Sequence, residues 1–254
     1  MKTALTIAGS DPTGGAGLQA DLKVFSRIGV HGLSVVSALT AQNTKGVYSI
    51  YKIDADFIEA QLTAVLNDIR PDALKTGMIH TKDTVRVIAK SIRGFDLENL
   101  VIDPVTVSSS GRSLMEEGTL DILKSELFPL ARVITPNIYE ASALSGINVE
   151  DVNAMEEAAA ILQKSGPEAV IITGGHLDNE TVDVVYHSDK FYRLRSRKIP
   201  GEYHGTGCAF SAAVAAYLAG NLPVVTAVER AKAFIEKAII GARSPGKGMK
   251  LLDV

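Results

Sequence analysis

The sequence predicts an α/β fold in which a mostly parallel central sheet is covered by helices on both faces. Apolar runs rich in β-branched residues alternate along the chain with segments of helical periodicity. We predict buried strands at 3–8, 33–39, 101–105, 133–135 and 170–173. Continuous apolar strands that alternate with helices are typical of parallel sheets with both faces covered.

The helices between these strands are marked by their caps and their apolar faces. Asp54 is predicted to cap a helix that ends at Arg70-Pro71, and a second helix runs from about 153 to 163. The inward-facing residues of the two helices are Phe57, Ile58, Leu62, Val65, Leu66 and Ile69, and Met155, Ala158, Ala159 and Leu162. Segments 182–186 and 191–194 are predicted to form a hairpin. Because no linker or repeat interrupts the pattern, residues 1–254 are predicted to form one domain.

Composition and charge exclude several classes of protein. With 254 residues, 46% of them apolar, the chain can bury a large core, and its net charge of -3 provides no basic surface for nucleic acid. Its apolar stretches stay below the roughly 18 residues that span a bilayer, so no membrane partner is expected. The one cysteine, Cys208, cannot form an intramolecular disulfide or a multi-cysteine zinc site, which favours the reducing cytoplasm.

A glycine-rich loop follows the first predicted strand. The loop at 9–17 leads into a helix, and its glycines let the backbone approach a ligand closely. Asp21 lies one turn into that helix, at the edge of the apolar stripe, where its carboxylate is predicted to face a ligand. The alternatives are a tight turn for the loop and, for Asp21, an ordinary first-turn aspartate favoured by the helix dipole.

The segment Gly205-Thr206-Gly207-Cys208 precedes a helix of small residues and is predicted to bind an anion. Two glycines at a helix start expose free N–H groups where the helix dipole also favours negative charge. At this end of the helix we expect the pKa of the Cys208 thiol to fall. The alternative is a small buried cysteine on an alanine-rich core helix.

Carboxylates also follow two predicted strands. Asp103 follows the apolar run Leu100-Val101-Ile102. Asn137 and Glu140 follow the strand predicted at 133–135 and are three residues apart, the spacing of neighbours on a helix. Because ligands of α/β sheets bind at the carboxyl ends of strands, these residues are predicted to hold magnesium through water. The alternative for Asn137 and Glu140 is helix capping.

Two further patterns are predicted to carry no chemistry. Segment 241–248 nearly matches a P-loop, but it lacks the final Ser or Thr, contains Pro245 and has no room for the required helix, so it is predicted to be a C-terminal tail. The five histidines lack the spacing of metal ligands, and His204 is interpreted as a structural neighbour of the glycine turn.

Taken together, the motifs resemble the hydroxymethylpyrimidine/phosphomethylpyrimidine kinases of thiamin biosynthesis over nearly the whole chain. The segments that carry the resemblance are 4–11, 14–17, 19–23, Ala41-Gln42-Asn43-Thr44, Lys75-Thr76-Gly77-Met78, Asp103-Pro104-Val105, Thr135-Pro136-Asn137, Gly174-Gly175-His176 and His204-Gly205-Thr206-Gly207-Cys208. The resemblance implies a ribokinase-like three-layer sandwich, ATP and magnesium as cofactors, and a homodimer. It also implies phosphate transfer to the pyrimidine hydroxymethyl group and then to the resulting monophosphate.

The resemblance also implies roles for individual residues. Gly205, Thr206 and Gly207 would form the anion hole. Because Cys208 follows them at the start of the helix, it is predicted to be the catalytic base or the immediate partner of the proton acceptor. The residues implied to bind the nucleotide and its magnesium are Asp103, Asn137, Glu140, Thr173, Gly175, Gly205 and Gly207, with Asp103 and Glu140 holding the metal through water. Thr173 stands where many members of the family carry lysine.

The substrate pocket implied by the resemblance consists of Gln42, Gly9, Asp21, Met78 and Val105. Gln42 would pair with the aminopyrimidine edge, because an amide offers both a donor and an acceptor. Met78 would form an apolar wall. Two alternatives stay open: a pyridoxal kinase, which differs in the substrate ring, and a catalytically weak pyrimidine-binding protein.

Overall fold

A computed structural model describes residues 1–108, 111–175 and 181–254. Its strands are β1 (Thr3–Ser10), β2 (His31–Asn43), β3 (Gly46–Lys52), β4 (Ala73–Thr76), β5 (Leu100–Ile102), β6 (Val133–Ile134), β7 (Ala169–Ile172), β8 (Thr181–His187), β9 (Lys190–Ser196), β10 (Tyr203–His204) and β11 (Lys250–Leu251). The first nine of these strands form one sheet in the order β3-β2-β1-β4-β5-β6-β7-β8-β9, and β10 and β11 form a separate parallel pair.

The interior of the large sheet is parallel and its edges are antiparallel. Strands β2, β1, β4, β5, β6 and β7 run parallel, whereas β3 pairs antiparallel with β2, and β8 and β9 form the predicted hairpin. The prediction of a mostly parallel sheet is therefore confirmed. The central strand β4 was not predicted, because its four residues include Lys75. The strand predicted at 101–105 ends at Ile102, one residue before Asp103.

Helices cover both faces of the sheet. They are α1 (Gly17–Ile28), α2 (Ala55–Leu66), α3 (Lys82–Gly94), α4 (Thr119–Ile122), α5 (Ile138–Ser145), α6 (Val152–Gln163), α7 (Thr206–Ala219) and α8 (Val224–Ile240), with a π-helical turn (Leu123–Leu127) and a 3-10 turn (Phe128–Leu130) after α4. One core lies between the sheet and α2, α3, α5 and α6, and the other lies between the sheet and α1, α7 and α8. This is the predicted three-layer arrangement. No helix among the described residues is long and apolar enough to cross a membrane.

Two buried ion pairs cross from the sheet to the layer that contains α1, α7 and α8. On β4, Lys75 Nζ lies 3.0 and 2.9 Å from the two carboxylate oxygens of Asp21 in α1, and Thr6 Oγ1 in β1 donates to the same carboxylate at 2.6 Å. On α8, Lys232 Nζ donates to Asp183 in β8 at 2.7 Å. Helices α1 and α8 are thus tied to the sheet by charge as well as by apolar packing.

Lys75 is fully buried, so its charge depends on its carboxylate neighbours. Although burial opposes the charged form, the carboxylates of Asp21 and Asp103 raise the pKa of Lys75 above its usual value. Asp103 lies 4.0 Å from Lys75 Nζ. Lys75 therefore serves as the counter-ion of two buried carboxylates, and its removal would leave both uncompensated.

We expect Lys75→Met to lower the free energy of unfolding by about 3 to 5 kcal/mol, because it leaves buried carboxylates without a cation. The double variant Lys75→Met/Asp21→Asn should recover much of this loss, since asparagine is neutral and still accepts from Thr6. Urea denaturation measures both values. The control is Lys90→Met, because Lys90 Nζ lies 2.8 Å from Glu59 in an exposed pair, and its loss should change stability little. Equal effects of Lys75→Met and Lys90→Met would contradict this account.

Candidate active site

The carboxyl ends of the parallel strands bring the predicted site residues to one edge of the sheet. Gly9 lies at the end of β1, and Asp103 follows β5 directly. The segments after β6 and β7 also meet there, because Thr173 and Asn137 form an isolated parallel β-bridge. The N–H of Thr173 donates to Pro136 O at 3.0 Å. Gly175 is exposed beside them, and His176 of the same motif lies outside the described residues.

An apolar wall forms at this edge. A Cβ on Gly9 would lie 3.0 Å from Met78 Sδ, so the backbone at Gly9 and the Met78 side chain are in close contact. Met78 packs in one cluster with Ala38, Leu114, Val47, Ile50 and Val105. Further along β2, after a register shift between Ala41 and Gln42, Gln42 pairs with Val47 of β3, which packs against this cluster. The structure therefore brings Gly9, Met78, Val105 and Gln42 together.

The Gly-Thr-Gly turn packs directly against the glycine loop. Gly205 has a positive φ of 80° and precedes α7, and a Cβ there would collide with the carbonyl oxygen of Gly15. No side chain caps α7, and Gly207 is exposed with no described heavy atom within 4 Å of the position of a Cβ. The first turn of α7 thus offers backbone N–H groups to an anion, as its sequence predicted.

The expectation of a low thiol pKa at Cys208 is wrong. Burial, reinforced by the carboxylates of Asp103 and Asp21, raises the pKa of Cys208 to about 12, and the charge of Lys75 only partly opposes them. The half-buried thiol lies beside the carboxylate of Asp103 and the N–H of Gly17. Burial and the nearby carboxylates, neither of which the sequence could place around the thiol, leave Cys208 a neutral thiol at physiological pH.

The expectation that Asp21 faces a ligand is also wrong. Its carboxylate has no exposed surface because it is enclosed by Lys75 and Thr6. Lys75 belongs to one of the motifs that carry the family resemblance, but no role was predicted for it from the sequence. Lys75 lies in the short strand Ala73–Thr76, in which every residue is buried. A buried lysine requires a carboxylate partner, so recognising this strand in the sequence would have pointed to a partner such as Asp21.

Asn137 and Glu140 form a capping box at the start of α5. Asn137 Oδ1 accepts from the N–H groups of Tyr139 and Glu140, and Glu140 Oε2 accepts from the N–H of Asn137 at 3.0 Å. The capping alternative is therefore confirmed. Burial raises the pKa of Glu140 to about 8, with the charge of Asp103 as the second cause. Among the described residues, no group of three or more His, Cys, Asp or Glu side chains is arranged to hold a metal.

A chain of polar contacts lies beside the apolar wall. Asp11 Oδ2 lies 2.8 Å from His204 Nε2, which in turn lies 2.9 Å from the amide of Gln42. No role was predicted for Asp11 from the sequence, and His204 was predicted to be a structural neighbour of the glycine turn. His204 lies on β10 and its ring is close to Gly15 of loop 9–17, so this contact depends on the tertiary structure.

The segment at 241–248 is not a P-loop, as predicted. It follows α8 and packs on Thr44, whose Oγ1 and carbonyl oxygen accept from the N–H groups of Gly248 and Met249. Beside it lies a pocket of about 470 Å³ whose lining includes Thr13, Asn43 and Lys247.

Comparisons with known proteins agree with this arrangement. A family model described as phosphomethylpyrimidine kinase matches residues 11–253. The chain is 44% identical over 246 residues to the thiamine biosynthesis bifunctional protein ThiED of Geobacter sulfurreducens, covering 96% of this chain and 50% of that protein. It is 43% identical over 242 residues to the hydroxymethylpyrimidine/phosphomethylpyrimidine kinase of Rhizobium meliloti, covering 94% of this chain and 91% of that protein. The chain thus spans half of the bifunctional relative and nearly all of the stand-alone kinase.

A solved structure also matches. The pyridoxal kinase of Bacillus subtilis, determined as an ADP complex, superposes with a TM-score of 0.91 at 40% identity, covering 99% of this chain and 96% of that chain. The fold is therefore the ribokinase-like α/β fold that the motifs implied. The family match over almost the whole chain shows that this protein belongs to the phosphomethylpyrimidine kinase family.

Proposed function

We propose that this protein transfers phosphate from ATP to 4-amino-5-hydroxymethyl-2-methylpyrimidine and then to the monophosphate, giving the diphosphate used in thiamin biosynthesis. The observation that carries this proposal is the meeting of three features at one sheet edge. These are the Gln42 amide beside the apolar wall of Met78 and Val105, the open first turn of α7, and the carboxylates of Asp103 and Glu140.

The proposed roles follow from these positions. The N–H groups of the turn from Gly205 to Gly207 stabilise the transferring phosphoryl group, and Thr173 and Gly175 border the nucleotide. Since Cys208 is a neutral thiol beside the carboxylate of Asp103, we assign it a relay. The hydroxymethyl proton moves to Cys208 Sγ while the thiol proton moves to Asp103.

Asp103 and Glu140 fit a magnesium ion held through water. Both carboxylates are buried and mutually repulsive, and magnesium typically uses few protein carboxylates and keeps several waters. Bound magnesium would neutralise phosphate charge. Asn137 supports this site indirectly, because its capping contacts hold Glu140 in place.

Pyridoxal phosphorylation is the second candidate, favoured by the similarity to the pyridoxal kinase. The polar edge of the pocket distinguishes the two, because the Gln42 amide complements an amino group beside a ring nitrogen, which pyridoxal lacks.

We also propose that residues 1–254 act as one domain and assemble as a homodimer in the cytoplasm. Strand β3 forms one lateral edge of the sheet, next to β2. The exposed side chains of Leu39, Tyr48 and Tyr51 give these two strands an apolar surface that supports self-association.

Turnover tests the function directly. With ATP and magnesium, hydroxymethylpyrimidine should be converted first to the monophosphate and then to the diphosphate, with a higher kcat/KM than pyridoxal. Coupled ADP release and mass spectrometry of the products measure both steps. Preferred turnover of pyridoxal would establish the second candidate, and pyrimidine binding without turnover under any nucleotide would indicate a binding protein.

Cys208→Ala should lower kcat by about 10²- to 10⁴-fold, the usual contribution of a proton-transfer group, while the KM for ATP stays nearly unchanged. Because the thiol pKa is about 12, iodoacetamide should alkylate Cys208 slowly at neutral pH. Rapid alkylation would show that the thiol is ionised. Near-normal turnover by Cys208→Ala would reduce Cys208 to a packing role.

Glu140→Gln should raise the magnesium concentration for half-maximal turnover by about tenfold or more, because it removes a charge while keeping the acceptor for Asn137. The metal-free variant should also gain stability over the wild type as pH rises. In the wild type, Glu140 ionises near 4.5 when unfolded but near 8 when folded, so the wild type loses stability across that interval. Between about pH 4.5 and 8, the free energy of unfolding of Glu140→Gln should rise relative to that of the wild type by roughly 2 to 5 kcal/mol.

The matched control is Glu157→Gln on the exposed face of α6, which should change neither the magnesium requirement nor this pH dependence. An unchanged magnesium requirement in Glu140→Gln would remove Glu140 from the metal site.

A further inference from the structure

The hydrogen bonds around Asp11 define its charge state. Its carboxylate accepts from the N–H of Thr13 at 2.8 Å, from Thr13 Oγ1 at 2.9 Å and from the N–H of Ala16 at 2.9 Å, and the residue is 2% exposed. Burial raises the pKa of Asp11, but hydrogen bonds from His204 and Thr13 outweigh it, so the pKa lies below its usual value. Asp11 is therefore ionised and can only accept hydrogen bonds.

The state of Asp11 determines where His204 carries its proton. His204 Nε2 lies 2.8 Å from Asp11 Oδ2, so Nε2 must be the donor. The other ring nitrogen, Nδ1, is buried and has no hydrogen-bond partner among the described residues. A proton on Nε2 instead of Nδ1 also avoids burying a donor that has no acceptor.

The proton on His204 in turn determines the direction of the Gln42 amide. His204 Nε2 carries one proton and, once protonated, has no lone pair with which to accept. The amide end that lies 2.9 Å away therefore shares this proton with Asp11 Oδ2 as a second acceptor, so it is the oxygen. The other end lies 3.2 Å from Thr40 Oγ1, whose single proton is donated to Ser10 O at 2.8 Å. The Thr40 oxygen can therefore only accept, and the amide end facing it is the NH₂ group. His204 and Thr40 thus both favour the orientation in which Oε1 faces His204 and the NH₂ group faces Thr40.

We propose that Asp11 and His204 fix the direction of the Gln42 amide and that His204 is consequently a positioning residue for substrate choice. This inference rests on the proposed function. In the required orientation, Gln42 keeps one free N–H and one free lone pair of Oε1, in a fixed order. An aminopyrimidine edge matches this order when its ring nitrogen accepts from the N–H and its amino group donates to Oε1. Without His204 only the 3.2 Å contact with Thr40 orients the amide, so the reversed orientation, which places like groups against the substrate, becomes more populated.

A double-mutant cycle tests whether His204 acts through Gln42. For hydroxymethylpyrimidine, we expect His204→Phe to lower kcat/KM and to raise the calorimetric Kd, each by about 5- to 100-fold, because a mismatched buried donor or acceptor is costly. Pyridoxal should be affected much less. Gln42→Met should cause a similar selective loss, and adding His204→Phe to Gln42→Met should cause no further loss. His187→Phe on β8 is the matched control and should behave like the wild type.

Additive losses in the double variant, or equal losses for both rings, would overturn the inference. Turnover of hydroxymethylpyrimidine by the wild type tests the proposed function separately. If the protein binds hydroxymethylpyrimidine without turning it over, the double-mutant cycle measured by calorimetric Kd still tests whether His204 acts through Gln42.

A second measurement does not depend on whether the variants fold or which substrate binds. Two-bond ¹H–¹⁵N spectra of the histidine-labelled wild type should show His204 with a proton on Nε2 at neutral pH. A ring with bare Nε2 would overturn the inference, because Oε1 of Gln42 would then have no donor to face.

Discussion

The buried ion pair between Lys75 and Asp21 is the constraint on which the sheet edge depends. It joins β4, β1 and α1 at one point, because Thr6 donates to the same carboxylate. A lysine with no exposed surface tolerates little displacement of its partners, since any gap would leave a buried charge uncompensated. The backbone after β4 also passes close to the Lys75 ammonium group. A Cβ on Gly77 would lie 2.9 Å from Lys75 Nζ and would crowd the ion pair.

The same lysine is outnumbered by the acidic groups around it. Asp21, Asp103 and Glu140 are buried at this end of the sheet, and the excess of negative charge helps to raise the pKa of Cys208 to about 12 and that of Glu140 to about 8. A site built in this way is unfavourable when empty and favourable for a cation. Strongly shifted pKa values of this kind are typical of functional sites, where stability is given up for binding.

Close contact between segments distant in sequence completes the site. Gly205 and Gly15 are 190 positions apart in the printed sequence, yet their backbones touch so closely that only glycine fits at 205. This contact positions the first turn of α7 and places His204 against Asp11 and Gln42. One backbone approach therefore arranges both the anion-binding turn and the polar edge of the pocket.

The sequence by itself determined the periodic features: the parallel sheet, the covering helices, the β8–β9 hairpin and the sheet edge where the motifs gather. These follow from local patterns, since alternation and capping are written in neighbouring residues. It could not find β4, whose short run contains a lysine, nor the direction of Asp21 or the protonation of Cys208. Those properties depend on which charges are buried together, and residues such as Lys75, Asp21 and Cys208 meet only when α1, β4 and α7 pack. Burial and pairing change the free energy of a charge far more than its sequence neighbours do, so only the tertiary structure decided the chemistry of the site.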